Sequence, residues 1–329
     1  MIPVMDGRKF FGTTLGKQRF PLNGQWELTC RCNLHCVMCY TDPLNQPAHI
    51  QQELSAAEIL RILDEIAEEG CLNLVLTGGE PLARPDFFEI YEAAHAKGIF
   101  LTVFTNGTLI TEKTADRFAQ FPPERIEISL HGMSRPIFEK ITTGKGSFDR
   151  CLKAIDLLME RKIPLTLKTT AMTLNETEIL AVKKYADRLK TAGDVRFRLS
   201  EKVRRRLVGF DSASAKNRRM LRGQAKPALD IDIDDVSQFQ VSEDSLRQME
   251  SQDEELTRAH LEELESSKTP YTCASQFHSF HIDAYGRLQM CSGNRRGNYD
   301  LRKGSFREGF YQAMPHFPCA FKIAGTKTV

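Results

Sequence analysis

Three thiols within eight residues constrain this chain more than any other feature. In Cys32-Asn33-Leu34-His35-Cys36-Val37-Met38-Cys39-Tyr40 they are spaced Cys-x3-Cys-x2-Cys, directly after a short apolar segment, Trp26-Glu27-Leu28-Thr29, that reads as a strand. A loop that tight can wrap one metal centre. The alternative is a set of buried or disulfide-bonded cysteines, as in oxidised secreted domains. A closed zinc site takes four ligands, often as two Cys-x2-Cys pairs. Three thiolates at this spacing fit better an iron–sulfur cluster, which cysteine thiolates hold, leaving one iron without a protein ligand and open to chemistry. Cys30 lies outside the pattern. On a strand, residues 30 and 32 share a face, so Cys30 is either a competing ligand or, the better fit, a small buried residue.

The rest of the composition supports a reduced, water-soluble protein. Nine cysteines, an odd number, speak for metal ligands and free thiols in a reducing compartment rather than a disulfide framework. No run approaches the roughly 18 apolar residues of a membrane span. The first twenty residues carry Asp6, Arg8, Lys9, Lys17 and Arg19 where a signal peptide would be apolar, so a cytoplasmic protein is expected. A net charge of +2 over 329 residues gives no global argument for nucleic acid or a membrane surface as partner.

After a lead-in over residues 1–24, broken by Gly12, Gly16 and Pro21, strand-like and helix-like segments alternate. Ser55-x-x-Glu58 is a capping box opening a helix with Ile59, Leu63 and Ile66 on one face and Gly70 at its C-cap; Leu72 to Thr77 then reads as a strand. Asp86-x-x-Glu89 starts a helix that ends near Gly98, before a strand from Phe100 to Thr105. Thr111 starts the next helix, before a strand from Ile126 to Leu130. A helix over 148–161, a strand from Leu165 to Thr170, a helix capped by Asn175-x-x-Glu178 and a strand from Val195 to Leu199 complete the series. Six such units imply an α/β fold with a parallel sheet and right-handed crossovers. An open (β/α)6 partial TIM barrel over residues 25–200 is the natural form.

In such barrels working residues gather at the C-terminal ends of strands. Thr77-Gly78-Gly79-Glu80-Pro81, Thr105-Asn106-Gly107, Ser129-Leu130-His131-Gly132 and Lys168-Thr169-Thr170 all fall there. Paired glycines let backbone approach a ligand closely, although any one Gly-Gly pair alone is an ordinary turn.

The cysteine loop followed by these motifs in this order resembles the radical S-adenosylmethionine (SAM) enzymes. The resemblance implies a 4Fe-4S cluster on Cys32, Cys36 and Cys39 whose open iron chelates SAM, with Tyr40 near the adenine. It also implies that Gly78, Gly79 and Glu80 meet the SAM ammonium, Glu80 through a charge-assisted hydrogen bond. Asn106 and Ser129 match positions that meet the ribose or carboxylate, and Lys168 loosely matches a basic residue for the carboxylate. His131 is read as structural.

Residues 201–270 change character, with a basic stretch from Lys202 to Arg222 and an acidic one from Asp230 to Glu265. Charge runs are usually solvated faces, and without interleaved aromatics for base stacking a nucleic-acid role is not expected. The stretch reads as a charged linker with a mobile loop near 210–229 and surface helices between about 243 and 266. Beyond it, Cys273, Gly286 and Cys291 form Cys-x12-Gly-x4-Cys around a hairpin over 280–288, and Cys319 follows. This resembles the SPASM and twitch extensions of the same family, implying a small C-terminal α+β domain over 271–329 that holds an auxiliary 4Fe-4S cluster. A SPASM domain has seven cysteines; three remain here, which fits a twitch-like domain better, and zinc with a histidine such as His316 is the rival. The function implied is reductive cleavage of SAM to a 5'-deoxyadenosyl radical that abstracts hydrogen from a ribosomally made peptide or protein. An electron donor such as flavodoxin or ferredoxin is the expected partner. Oxidation of a small molecule is the runner-up, and a non-catalytic metal-binding regulator the third.

Overall fold

A computed structural model describes residues 19–39, 43–170, 172–199, 277–292 and 297–317. The loop and helices expected within 201–270 lie outside these residues, as do Tyr40, Cys273 and Cys319.

The six expected strands form: β1 (Asn23–Glu27), β2 (Asn73–Thr77), β3 (Phe100–Thr105), β4 (Arg125–Ser129), β5 (Leu165–Thr169) and β6 (Val195–Leu199). Each pairs in parallel with its predecessor, as crossovers through helices require. The expected hairpin also forms, as β7 (Ser279–Ile282) and β8 (Arg287–Gln289), followed by β9 (Tyr299–Asp300). β7 lies parallel to β1, so one nine-stranded sheet runs β6-β5-β4-β3-β2-β1-β7-β8-β9. The barrel is therefore open, with β6 and β9 as its edges.

Strand alternation splits the sheet into two chemically distinct faces. Trp26, Leu76, Val103, Ile126, Leu165 and Val195 lie side by side in register; all are buried. The opposite face carries Gln25, Val75, Thr102, Phe104, Glu127, Ser129, Thr166 and Lys168. One face can pack on helices, and the other is a largely polar lumen.

The helices are α1 (Ala56–Glu68), α2 (Phe87–Ala96), α3 (Glu112–Gln120), α4 (Arg135–Thr142), α5 (Ser147–Glu160) and α6 (Ile179–Lys190), with a one-turn helix at Pro47–Ile50. α1 buries Ile59, Ile62, Leu63 and Ile66. At about 1.5–3 kcal/mol per fully buried side chain, that face outweighs any propensity term. Its capping box is complete in both directions, and Gly70 takes the left-handed conformation (φ 83°) that ends the helix. Thr111 caps α3 as expected.

Two expected caps are not made. Asp86 precedes α2 without capping it, because its carboxylate is taken by Arg84 at 2.7 Å. Asn175 is drawn inward instead: its amide donates to the carbonyls of His131 and Thr170, both at 2.9 Å, and its oxygen accepts from the Met172 N–H. α4 was not expected; Pro136 sits in its first turn, where a helix start accommodates proline.

Candidate functional site

The cysteine loop leaves the end of β1 and is fastened at three places. At its start, the buried Glu53 carboxylate accepts the Thr29 hydroxyl (2.7 Å), the Cys30 N–H (2.7 Å) and the Arg31 guanidinium (2.8 Å). Asn45 then clamps the first thiol's residue, its oxygen accepting from the Cys32 N–H (3.0 Å) and its amide donating to the Cys32 carbonyl (2.9 Å). At the far side, the loop is tied to the end of α4: the His35 and Val37 N–H groups donate to the carbonyls of Thr142 and Ile141, and the Thr143 hydroxyl to the His35 carbonyl. Segments of the β1–β2 and β4–β5 connections thus converge on one loop at the C-terminal edge of the sheet. β1 ends at Glu27, so Cys30 and Cys32 do not share a strand face. Cys30 packs with Leu44, Ala284 and Tyr285, a small buried residue.

Gly78 and Gly79 are explained by this loop. The Gly79 N–H donates to the Thr29 carbonyl (2.9 Å) and the Glu80 N–H to the Arg31 carbonyl (2.7 Å). A Cβ on Gly78 would lie 2.3 Å from the Thr29 carbonyl oxygen, and one on Gly79 2.4 Å from that of Arg31. The close approach expected of the pair is made to the backbone that leads into the cysteines, and only glycine allows it. Glu80 is fully buried and accepts from Leu82 N–H (3.1 Å), Thr105 hydroxyl (2.8 Å) and Asn106 N–H (2.7 Å). A carboxylate has about four acceptor positions, so these three leave one. Burial pushes its carboxyl up to about 7, against the pull of those donors.

Asn106 links the acid to the first thiol. Its side-chain amide lies 3.8 Å from Cys32 Sγ and donates to Asn33 Oδ1 at 3.0 Å, while its oxygen accepts from the Thr108 N–H and hydroxyl. Cys32 is buried, and Cys36 and Cys39 are half-buried. Burial, then the neighbouring Glu80, pushes the Cys32 thiol up to about 12. Burial, then Cys39 and Cys32, raises that of Cys36. The three thiols are therefore near enough to feel one another's charge. Among the described residues no three His, Cys, Asp or Glu side chains converge on a point suited to one metal ion. A cluster is wider than an ion and offers each thiolate its own iron. Ligation requires the thiolate, which burial and the adjacent acid disfavour here, and a cationic iron core supplies the compensating charge. The donor set fits an iron–sulfur cluster.

The remaining expected residues are spread. Ser129 and Lys168 are register partners on the lumen face. The Lys168 ammonium is engaged by Glu127 and lies 3.5 Å from the centre of the Phe104 ring, a cation–π contact. These two contacts anchor it on the lumen face. His131, read as structural, is buried, accepts from the Thr170 N–H at 3.4 Å, and burial lowers its pKa to about 4. Cys291 is half-buried just after β8. His316 is exposed. Sequence reasoning missed Glu53, Asn45 and Arg84. The buried Arg84 guanidinium donates to the carbonyls of Leu28 (2.9 Å) and Leu54 (2.8 Å). A signal existed only for Arg84, three residues past Pro81 and two before an acid, and it is a weak one.

Polar strand ends thus gather around a partly buried three-thiol loop on an open parallel α/β sheet. Residues 26–186 match the model of the Radical SAM superfamily. The chain carries a radical SAM domain, and that family binds a 4Fe-4S cluster and SAM. An AdoMet-dependent heme synthase of Methanosarcina barkeri is 35% identical over 155 residues, 47% of this chain and 44% of that protein. The sporulation killing factor maturation protein SkfB of Bacillus subtilis is 26% identical over 273 residues, 82% of this chain and 60% of that one. Both matches span less than two thirds of the relative's length. The structure of Streptococcus suis SuiB bound to precursor peptide SuiA superposes with a TM-score of 0.60 at 16% identity, covering 92% of this chain and 68% of that chain, a likeness of fold. No described helix is long and apolar enough to cross a membrane.

Proposed function

We propose that this chain is a radical SAM enzyme that modifies a ribosomally made peptide or protein by abstracting a hydrogen atom from a side chain or α-carbon. The observation that carries the reading is the closure of Gly78-Gly79-Glu80 onto the backbone of Thr29 and Arg31, which holds a buried acid, through Asn106, beside the first of the three thiols. In this reading Cys32, Cys36 and Cys39 hold the cluster. Bound there, the cluster and SAM together supply a 5'-deoxyadenosyl radical.

The chain's own residues bind and orient. Glu80, with one acceptor position left, takes the ammonium of SAM. An ammonium beside it would also favour the ionised carboxylate against its burial. Asn106, held on one side by Glu80 and on the other by Asn33 and Thr108, keeps a donor against Cys32 Sγ, and it and Ser129 face the ribose and carboxylate. Tyr40 lies against the adenine. Lys168, paired with Glu127 and stacked on Phe104, gives the lumen a fixed charge pair. Cys273, Cys291 and Cys319 hold an auxiliary 4Fe-4S cluster that accepts an electron or binds substrate, and a flavodoxin or ferredoxin supplies the reducing electron.

A peptide substrate is supported by the similarity to SkfB over most of the chain. Similarity to the heme synthase favours the second reading, oxidation of a small molecule. The test is anaerobic incubation of reconstituted protein with SAM and a reductant. Formation of 5'-deoxyadenosine is expected, stimulated by a peptide encoded beside the gene. Cleavage that responds to small molecules and not to peptide would favour the second reading, and no cleavage would refute both.

A further inference from the structure

The acid that directs the cysteine loop is not one of the residues that the loop's own pattern contains. Glu53 accepts from Thr29, Cys30 and Arg31, the three residues immediately before Cys32. Its carboxylate is nearly fully buried, with the side chain 2% exposed. Burying a carboxylate is expensive unless it is fully hydrogen-bonded, so these contacts define one position for the acid and one path for the loop. The Thr29 hydroxyl extends the grip, accepting from both the N–H and the Nε of Arg31 at 3.0 Å.

The segment bearing Glu53 is in turn held by the far end of the sequence. The Leu54 N–H donates to the Ala284 carbonyl at 2.9 Å, in the turn between β7 and β8. The Arg302 guanidinium donates to the Gln52 carbonyl at 2.8 Å, to the Tyr285 carbonyl at 3.2 Å and to Glu58 at 2.9 Å. Gly286 lies so close to Leu54 that a Cβ there would come within 2.9 Å of it. Both peptide groups flanking Glu53 are thus bonded to the C-terminal hairpin region, one of them directly and one through Arg302. Tyr285 and Ala284 of the same turn also pack on Cys30.

We infer that Glu53 is a positioning residue through which the C-terminal hairpin sets the path of the cysteine loop, so that the two ends of the chain are mechanically coupled at the cluster. The inference rests on the reading that Cys32, Cys36 and Cys39 hold that cluster. Glu53→Gln keeps the size of the side chain but removes its charge and turns one acceptor into a donor. Arg302→Met removes no direct contact with the loop and releases the hold on Gln52 and Glu58 together with the bond to the Tyr285 carbonyl.

The reconstituted full chain and both variants are compared by the rate of iron loss to a chelator, by the electron paramagnetic resonance spectrum of the reduced cluster, and by the thermal midpoint of the iron-free chain. Glu53→Gln is expected to lose iron about tenfold faster or more, the equivalent of one charge-assisted hydrogen bond, with a changed spectrum and a folded iron-free chain. Arg302→Met should move iron loss and spectrum in the same direction by a smaller factor. Wild-type iron retention and spectrum in Glu53→Gln would overturn the positioning role. A wild-type Arg302→Met beside an altered Glu53→Gln would overturn the coupling to the hairpin. Should Glu53→Gln fail to fold, Thr29→Val and Arg31→Met each remove one partner of the acid and carry the same expectation. A wild-type chain that binds no cluster would overturn the reading on which the inference stands.

Discussion

Glu80 and Asn106 are joined by a 2.7 Å hydrogen bond from the Asn106 N–H to the buried carboxylate, and the Asn106 amide reaches 3.8 Å from Cys32 Sγ. The acid at the end of β2 therefore governs, through one peptide group at the end of β3, what lies beside the first thiol.

Glu80→Gln should weaken SAM binding by on the order of tenfold to a hundredfold, the loss of one charge-assisted hydrogen bond. Because Glu80 also accepts from Leu82, Thr105 and Asn106, the amide must point a donor at one of these groups. A further loss of about 1–3 kcal/mol in stability follows. Titration calorimetry on protein of matched iron content and a denaturant melt check the two parts, and unchanged affinity would reduce Gly78 to Pro81 to a turn.

Gly79→Ala should be far worse than Gly70→Ala. The first puts a methyl 2.4 Å from the Arg31 carbonyl oxygen, while the second meets nothing within 4 Å and bears only the strain of φ 83°. Overpacking costs about 1–3 kcal/mol, and a left-handed residue about 1–2 kcal/mol. The separation lies in the cluster: Gly79→Ala should lower iron content at equal folded fraction and Gly70→Ala should not. Equal iron in both would show that the contact with Arg31 does not shape the loop.

His131 makes the iron-free fold sensitive to acid. Burial lowers its pKa from 6.5 to about 4, so the unfolded chain binds the proton first. Its contribution is fully present above pH 6.5 and is lost as pH falls through about 4. By pH 5 the loss should be about 2 kcal/mol. Denaturant melts of the wild type and His131→Gln at pH 7.5 and pH 5 isolate the effect, and equal pH dependence in the two would assign it elsewhere.

Replacing Cys273, Cys291 and Cys319 together with Ala should reduce iron from about eight to about four per chain. SAM cleavage should persist while conversion of substrate is lost. Four irons and one zinc in the wild type would instead make the C-terminal thiols a structural clamp.

The alternation of strands and helices was legible because each unit carries its own signals, as in the Ser55–Glu58 box and the left-handed Gly70. The cysteine loop was legible because its thiols are close in sequence. What holds that loop was not. Glu53, Asn45 and Thr142 are common residues in unremarkable contexts, and their roles arise only when separate segments meet. The paired glycines were legible as a close approach, but not its partner, since backbone carbonyls at Thr29 and Arg31 leave no trace in residue type. Asn175 looked like a cap because its local pattern was right, and three acceptors away from the helix end took its amide. α4, whose end braces His35 and Val37, is short and starts at a proline rather than at a capping box.

The pairing of β7 with β1 has a consequence for how the protein is made. As the chain emerges from the ribosome, β1 through β6 can assemble in order, each strand finding a neighbour already present. β1 keeps one unpaired side throughout, and Arg302 meets Gln52 only across 250 positions of sequence. Contacts that remote are slow to form, and exposed strand edges invite association with other chains. A truncated or stalled chain lacking the hairpin would therefore present β1 as a sticky edge beside an unbraced cysteine loop.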